Sequence, residues 1–154
     1  MKKSLILILL FLVVGFTQAQ DTAKKMRVAV LLYPGVELVD FAGPTDVFIK
    51  ANAMTRGKYE VYSIAFEKEP VQTQGGGPFL QPTYTVASMP KPDILVIPGA
   101  AMEVIDSLKK DARLIGFLKK YLVLGWVLVV RIPAIICSLI QRRQVVFILM
   151  LIRC

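Results

Sequence analysis

A chain of 154 residues, 55% apolar and without histidine, is long enough for one domain of ordinary size. It excludes Ser-His and Cys-His dyads, and any histidine-ligated metal, built from its own residues. Its formal charge of +8 suggests an acidic partner only until it is divided along the chain. Lys2 and Lys3 at one end, and Arg131, Arg142, Arg143 and Arg153 at the other, have no acid beside them. That leaves 13 bases against 11 acids over residues 20–130. In a middle so nearly neutral nothing argues for nucleic acid, and no nucleic-acid partner is expected.

The first element reads as a secretory signal. Lys2 and Lys3 form a basic start, Leu5 to Phe16 an apolar run, and Thr17-Gln18-Ala19 a small-residue cleavage site, so the mature chain is expected to begin at Gln20. The alternative is a retained membrane anchor, although the run falls short of the roughly 20 apolar residues of a full span. Export implies an oxidising compartment, where Cys137 and Cys154 could pair.

Met26 to Tyr33 is a continuous β-rich apolar run, as expected of a strand buried on both faces of a parallel sheet. Pro34-Gly35 breaks it. Leu38, Phe41, Ala42, Val47, Phe48 and Ala51 then fall at helical spacing within Leu38 to Met54, with Pro44 expected in the first turn. Arg56-Gly57-Lys58 ends that helix. Tyr59 to Phe66 alternates as a second strand. Gly75-Gly76-Gly77-Pro78 is a turn: it lacks the Lys-Ser/Thr of a phosphate loop. Gln81 to Val86 is expected to be a short strand of a hairpin. Asp93 to Ile97 is the next buried strand, stopped by Pro98-Gly99. Met102 to Tyr121 reads as one helix, with Val104, Ile105, Leu108, Leu114, Ile115 and Leu118 on one side. Trp126 to Val130 is a further strand. This order predicts a doubly wound, flavodoxin-like three-layer α/β sandwich.

The tail differs. No acid follows Asp111, and beyond Val130 there is no glycine, while Pro133 and the Arg142-Arg143 pair interrupt an apolar run. A membrane helix over Leu122 to Ile140 would place Arg131 near its middle, at a cost of about 2.5–3.5 kcal/mol.

In an open α/β sheet, ligands bind beyond the carboxyl ends of the strands. Three segments fall there: Pro34 to Asp40, Pro98 to Ala101, and whatever follows Val130. The segment Val28 to Phe48, reading VAVLLYPGVELVDFAGPTDVF, resembles the opening of ThiJ/PfpI proteins of the class I glutamine-amidotransferase-like superfamily. Within that family it is similar to isonitrile hydratases and to sensor domains fused to AraC-type regulators. Pro92 to Ala100, reading PDILVIPGA, is similar to the family's strand and oxyanion loop. The resemblance covers about residues 26–130, roughly two-thirds of a family domain.

The resemblance implies a cysteine on a strand-to-helix turn, with Asp40 as the acid near the sulfur and the Gly99 and Ala100 amides as oxyanion donors. The parent activity it implies is hydratase- or hydrolase-type chemistry on a small molecule, without cofactor or metal. From the residues alone, Asp40 is equally readable as a helix N-cap, Glu37 as a solvated loop carboxylate, and Gly99 as the residue of a tight turn. Where the family places Cys-Thr-Gly, this chain has Arg131-Ile132-Pro133. Arginine cannot serve as the nucleophile, since it stays protonated, and Cys137 lies six positions too late.

The expected organisation is therefore a signal peptide over 1–19, a partial ThiJ/PfpI-like domain over 20–130, and an aberrant tail over 131–154 read out of its ancestral frame. The chain is expected to be exported and inactive as a cysteine enzyme. The rival is a non-enzymatic small-molecule sensor domain. A membrane partner enters only if the signal or the tail is retained, and the residues neither require nor exclude a homodimer of the family kind.

Overall fold

A computed structural model describes residues 24–124, 126–129 and 146–147. The signal segment, Arg131, Cys137, Cys154 and nearly all of the tail, with most of the Leu122 to Ile140 span, lie outside these residues. Among the described residues, no helix is long and apolar enough to cross a membrane.

The chain runs β1 (Met26–Leu31), α1 (Leu38–Met54), β2 (Tyr59–Ala65), β3 (Val71–Gln72), β4 (Phe79–Leu80), β5 (Tyr84–Thr85), β6 (Ile94–Ile97), α2 (Met102–Leu108), α3 (Ala112–Leu124), β7 (Trp126–Val129) and β8 (Val146–Phe147). Six strands form one sheet in the order β5-β2-β1-β6-β7-β8, and every pairing in it is parallel. The sequence order builds outward from β1 in both directions, which is the doubly wound arrangement.

Burial explains the apolar run of β1. Val28 and Val30 face one side of the sheet and Ala29 and Leu31 the other, and all four are buried. On the first side, Phe41 and Phe48 of α1 pack against Val28, Val30 and Val96. On the second, Ile105 of α2 and Leu114, Phe117 and Leu118 of α3 join Ala29, Leu31, Leu95 and Ile97. Helices thus cover both faces, giving three layers. Asn52 ties the end of α1 to the next strand: its Oδ1 accepts the Tyr59 N–H at 2.9 Å, and its carbonyl accepts the Gly57 N–H at 2.9 Å.

Three local expectations are corrected. Pro44 lies inside α1, well past its first turn, where it cannot donate the usual helical N–H. The hairpin is formed by β3 and β4, with Val71 opposite Leu80, while residues 84–85 pair in parallel with Ile64 and Ala65 at the edge of the main sheet. Met102 to Tyr121 is two helices rather than one. The break lies at Asp111, whose Oδ1 accepts the N–H groups of Arg113 at 2.8 Å and Leu114 at 3.3 Å. A side chain that satisfies two open donors of a new first turn favours restarting the helix there.

Candidate functional site

β1 and β6 are neighbours in the sheet, and the helices that follow them lie on opposite faces. Their outgoing segments therefore diverge at the carboxyl ends of the two strands, the switch point at which an open α/β sheet is expected to take its ligand. Three hydrogen bonds tie the two segments together there. The Glu37 N–H donates to the Gly99 carbonyl at 2.8 Å, beside an antiparallel bridge between Val36 and Ala100. The Gly99 N–H donates to Asp40 Oδ2 at 3.2 Å. The Tyr33 hydroxyl donates to the Pro98 carbonyl.

The hairpin is clasped to the same place. The Gly35 N–H donates to the Gln72 carbonyl and the Gln74 N–H to the Val36 carbonyl, each at 3.0 Å. Gly35 has a φ of +81°, and a Cβ there would stand 2.8 Å from Val104 Cγ2, so both the turn and the approach of α2 require glycine.

Asp40 sits within α1 at 5% exposure. The helix begins at Leu38, with Glu37 in the N-cap position and making no side-chain cap bond, so the capping role open to Asp40 in the sequence is not the one it takes. A buried carboxyl group is costly unless it is hydrogen-bonded, and the Gly99 N–H supplies such a bond. That bond bears on the second expectation. The Gly99 amide is engaged by Asp40, and an oxyanion could take it only in competition with that carboxylate. Ala100 stands differently, because the ladder bond beside it runs from Glu37 to the Gly99 carbonyl and leaves the Ala100 N–H out. Glu37 is half-buried rather than fully solvated.

Tyr33 was not singled out by the sequence. It is 5% exposed, and its phenol is pushed well above its ordinary range, chiefly by burial and further by the Asp40 and Glu37 carboxylates. Its signal in the sequence is a tyrosine at the end of an apolar strand, where burial of the ring obliges the hydroxyl to find a partner.

The nucleophile position is approached by backbone register. β7 pairs with β6, Ile97 opposite Val129, so the chain leaves β7 at the edge where Pro98 and Gly99 leave β6. Arg131 itself lies outside the described residues. Among those residues, no group of three or more His, Cys, Asp or Glu side chains could hold a metal ion.

No family model matches the sequence, and no curated protein matches it. Solved structures do. A ThiJ/PfpI family protein from Pseudomonas syringae is similar at 22% identity, over 73% of this chain and 47% of its own, with a TM-score of 0.56. A DJ-1 superfamily protein from Agrobacterium tumefaciens is similar at 20% identity, over 68% and 53%, with a TM-score of 0.50. DJ-1 from Schizosaccharomyces pombe is similar at 15% identity, over 68% and 57%, with a TM-score of 0.53. The chain spans about half the length of these structures. Likeness at such identities speaks for architecture alone, and that architecture is the α/β fold of the ThiJ/PfpI and DJ-1 superfamily proteins.

Proposed function

We propose that this is a ThiJ/PfpI-type small-molecule domain whose parent chemistry was a cysteine-dependent hydration or hydrolysis, and that this chain does not perform it. One observation carries the location of the site: Asp40, buried in α1, bonds across the switch point to Gly99. Parallel α/β sheets place their ligands at that point, and buried ionisable groups concentrate at functional sites. The loss of activity rests on the sequence. Arg131 follows the strand where a thiolate nucleophile is needed, and a guanidinium can neither attack nor give up a proton at neutral pH.

The test is iodoacetamide labelling of the full chain as a function of pH, with isonitrile hydration and glyoxalase-type turnover assayed alongside. The expected result is no turnover and labelling only at the rate of an ordinary thiol, whose pKa is about 8.5. A cysteine reactive well below neutral pH, whose alkylation abolishes turnover, would overturn the reading. The second reading, a ligand sensor without catalysis, is favoured by the same switch point and is indifferent to Arg131. It predicts saturable binding of a small molecule with no product.

Two further proposals concern the ends of the sequence. Export with cleavage after Ala19 is supported by Lys2, Lys3 and the Leu5 to Phe16 run, and intact-mass measurement of exported protein checks for Gln20 at the start. A reading-frame change near Val130 is supported by the disappearance of acids and glycine beyond it. It fails if no other frame of the gene continues into a family-like turn and helix.

A further inference from the structure

The Pro98 carbonyl and the Gly99 N–H belong to one planar peptide unit. Tyr33 donates to its oxygen, and Asp40 accepts from its nitrogen at 3.2 Å. Both side chains come from the β1–α1 segment, 59 to 65 residues away, and both are 5% exposed. A peptide plane gripped at both edges has lost its main freedom, rotation about the axis joining its two Cα atoms. The next unit is held as well, since the Gly99 carbonyl accepts the Glu37 N–H at 2.8 Å. In a trans peptide the N–H points opposite to the C=O, so the Ala100 N–H is directed away from Glu37.

The geometry points to Tyr33 as a positioning residue of this site: its hydroxyl fixes the Pro98–Gly99 peptide, and through it the directions of the Gly99 and Ala100 amides at the switch point. Donation to the carbonyl also polarises the unit and strengthens its N–H as a donor to Asp40. The inference rests on the switch point being the functional site.

A tyrosine that merely satisfies its hydroxyl inside a core is the competing account, and the molecule supplies the control. Tyr62 is likewise 5% exposed and also donates to a proline carbonyl, that of Pro90 at 2.7 Å, in a part-buried bond. Pro90 precedes β6, whereas Gly99 follows it.

The experiment compares Tyr33→Phe and Tyr62→Phe in the full chain by 1H–15N spectra and amide hydrogen exchange. Each variant keeps its ring and loses one hydroxyl. Tyr33→Phe is expected to move the Gly99 and Ala100 signals and to raise Gly99 exchange by about tenfold, the scale of one net hydrogen bond. Tyr62→Phe is expected to leave both amides where they were. Equal responses from the two variants, or an unmoved Gly99 signal in Tyr33→Phe, would overturn the assignment. If Tyr33→Phe does not fold, the wild type decides: Gly99 exchange slowed relative to an open loop amide supports the clamp, and exchange at the open rate refutes it. Thiol labelling and turnover do not enter this result, so failure of the functional reading and failure of the clamp are separately visible.

Discussion

Replacing Gly35 by alanine tests how tightly the β1–α1 turn is set against α2. Two penalties are predicted, and the molecule allows them to be separated. Alanine at φ +81° carries a left-handed strain of about 1–2 kcal/mol, offset by about 0.4–1 kcal/mol because alanine restricts the unfolded chain. The Cβ would also stand 2.8 Å from Val104 Cγ2, and relieving such overpacking costs about 1–3 kcal/mol. Gly35→Ala should therefore lose about 2–4 kcal/mol. Gly57 has a φ of +90° with nothing within 4 Å of its missing Cβ, so Gly57→Ala pays only the backbone part, about 1 kcal/mol net. In a Val104→Ala background, the cost of Gly35→Ala should fall towards that of Gly57→Ala. Urea denaturation followed by circular dichroism, over the four corners of the Gly35/Val104 cycle with Gly57→Ala as reference, gives the coupling directly. Equal Gly35→Ala costs in the two backgrounds would show that the close approach carries no energy.

Other outcomes follow from the same bonds. Asp111→Ala should lose about 1 kcal/mol by uncapping α3, with Asp111→Asn close to wild type, and equal loss from both would assign the effect to charge instead. Burial holds the Tyr62 phenol up at about 12, from an ordinary value of 10.0, and raises Tyr33 likewise. The folded state therefore keeps these protons after the unfolded state has released them. The stability they contribute is full below pH 10 and falls as pH rises from 10 through the folded values. Urea midpoints between pH 9 and 11.5 should drop for the wild type and drop less for Tyr33→Phe and Tyr62→Phe; parallel lines for all three would refute the assignment.

What was legible in the sequence was what one element can announce by itself. The apolar run at Met26 predicts a central strand because both of its faces are buried, and the bounds of α1 match the helical spacing from Leu38 to Met54. The true hairpin is hidden in the sequence because β3 and β4 are two residues each, too short for any period to register. The split at Asp111 was hidden because apolar residues keep helical spacing across it, while one carboxylate, invisible to periodicity, decides the matter. Motif resemblance picks out Asp40, Gly99 and Ala100 as candidate site residues, but the bonding among them is not legible in the sequence. Asp40 and Gly99 meet across 59 residues, and whether the amide faces a ligand or the carboxylate depends on a peptide orientation that no local pattern encodes.

The central place of β1 sets a clock on biosynthesis. β1 is made first, yet one of its two partners, β6, follows much later: Arg27 and Asp93, bonded at that border, are separated by 66 residues. At about 5–20 residues per second, β1 waits roughly 3–13 s for that edge to be covered, offering a row of open backbone donors and acceptors on an apolar strand. A holding partner that shields Met26 to Leu31 during this interval would act on yield without altering the finished fold.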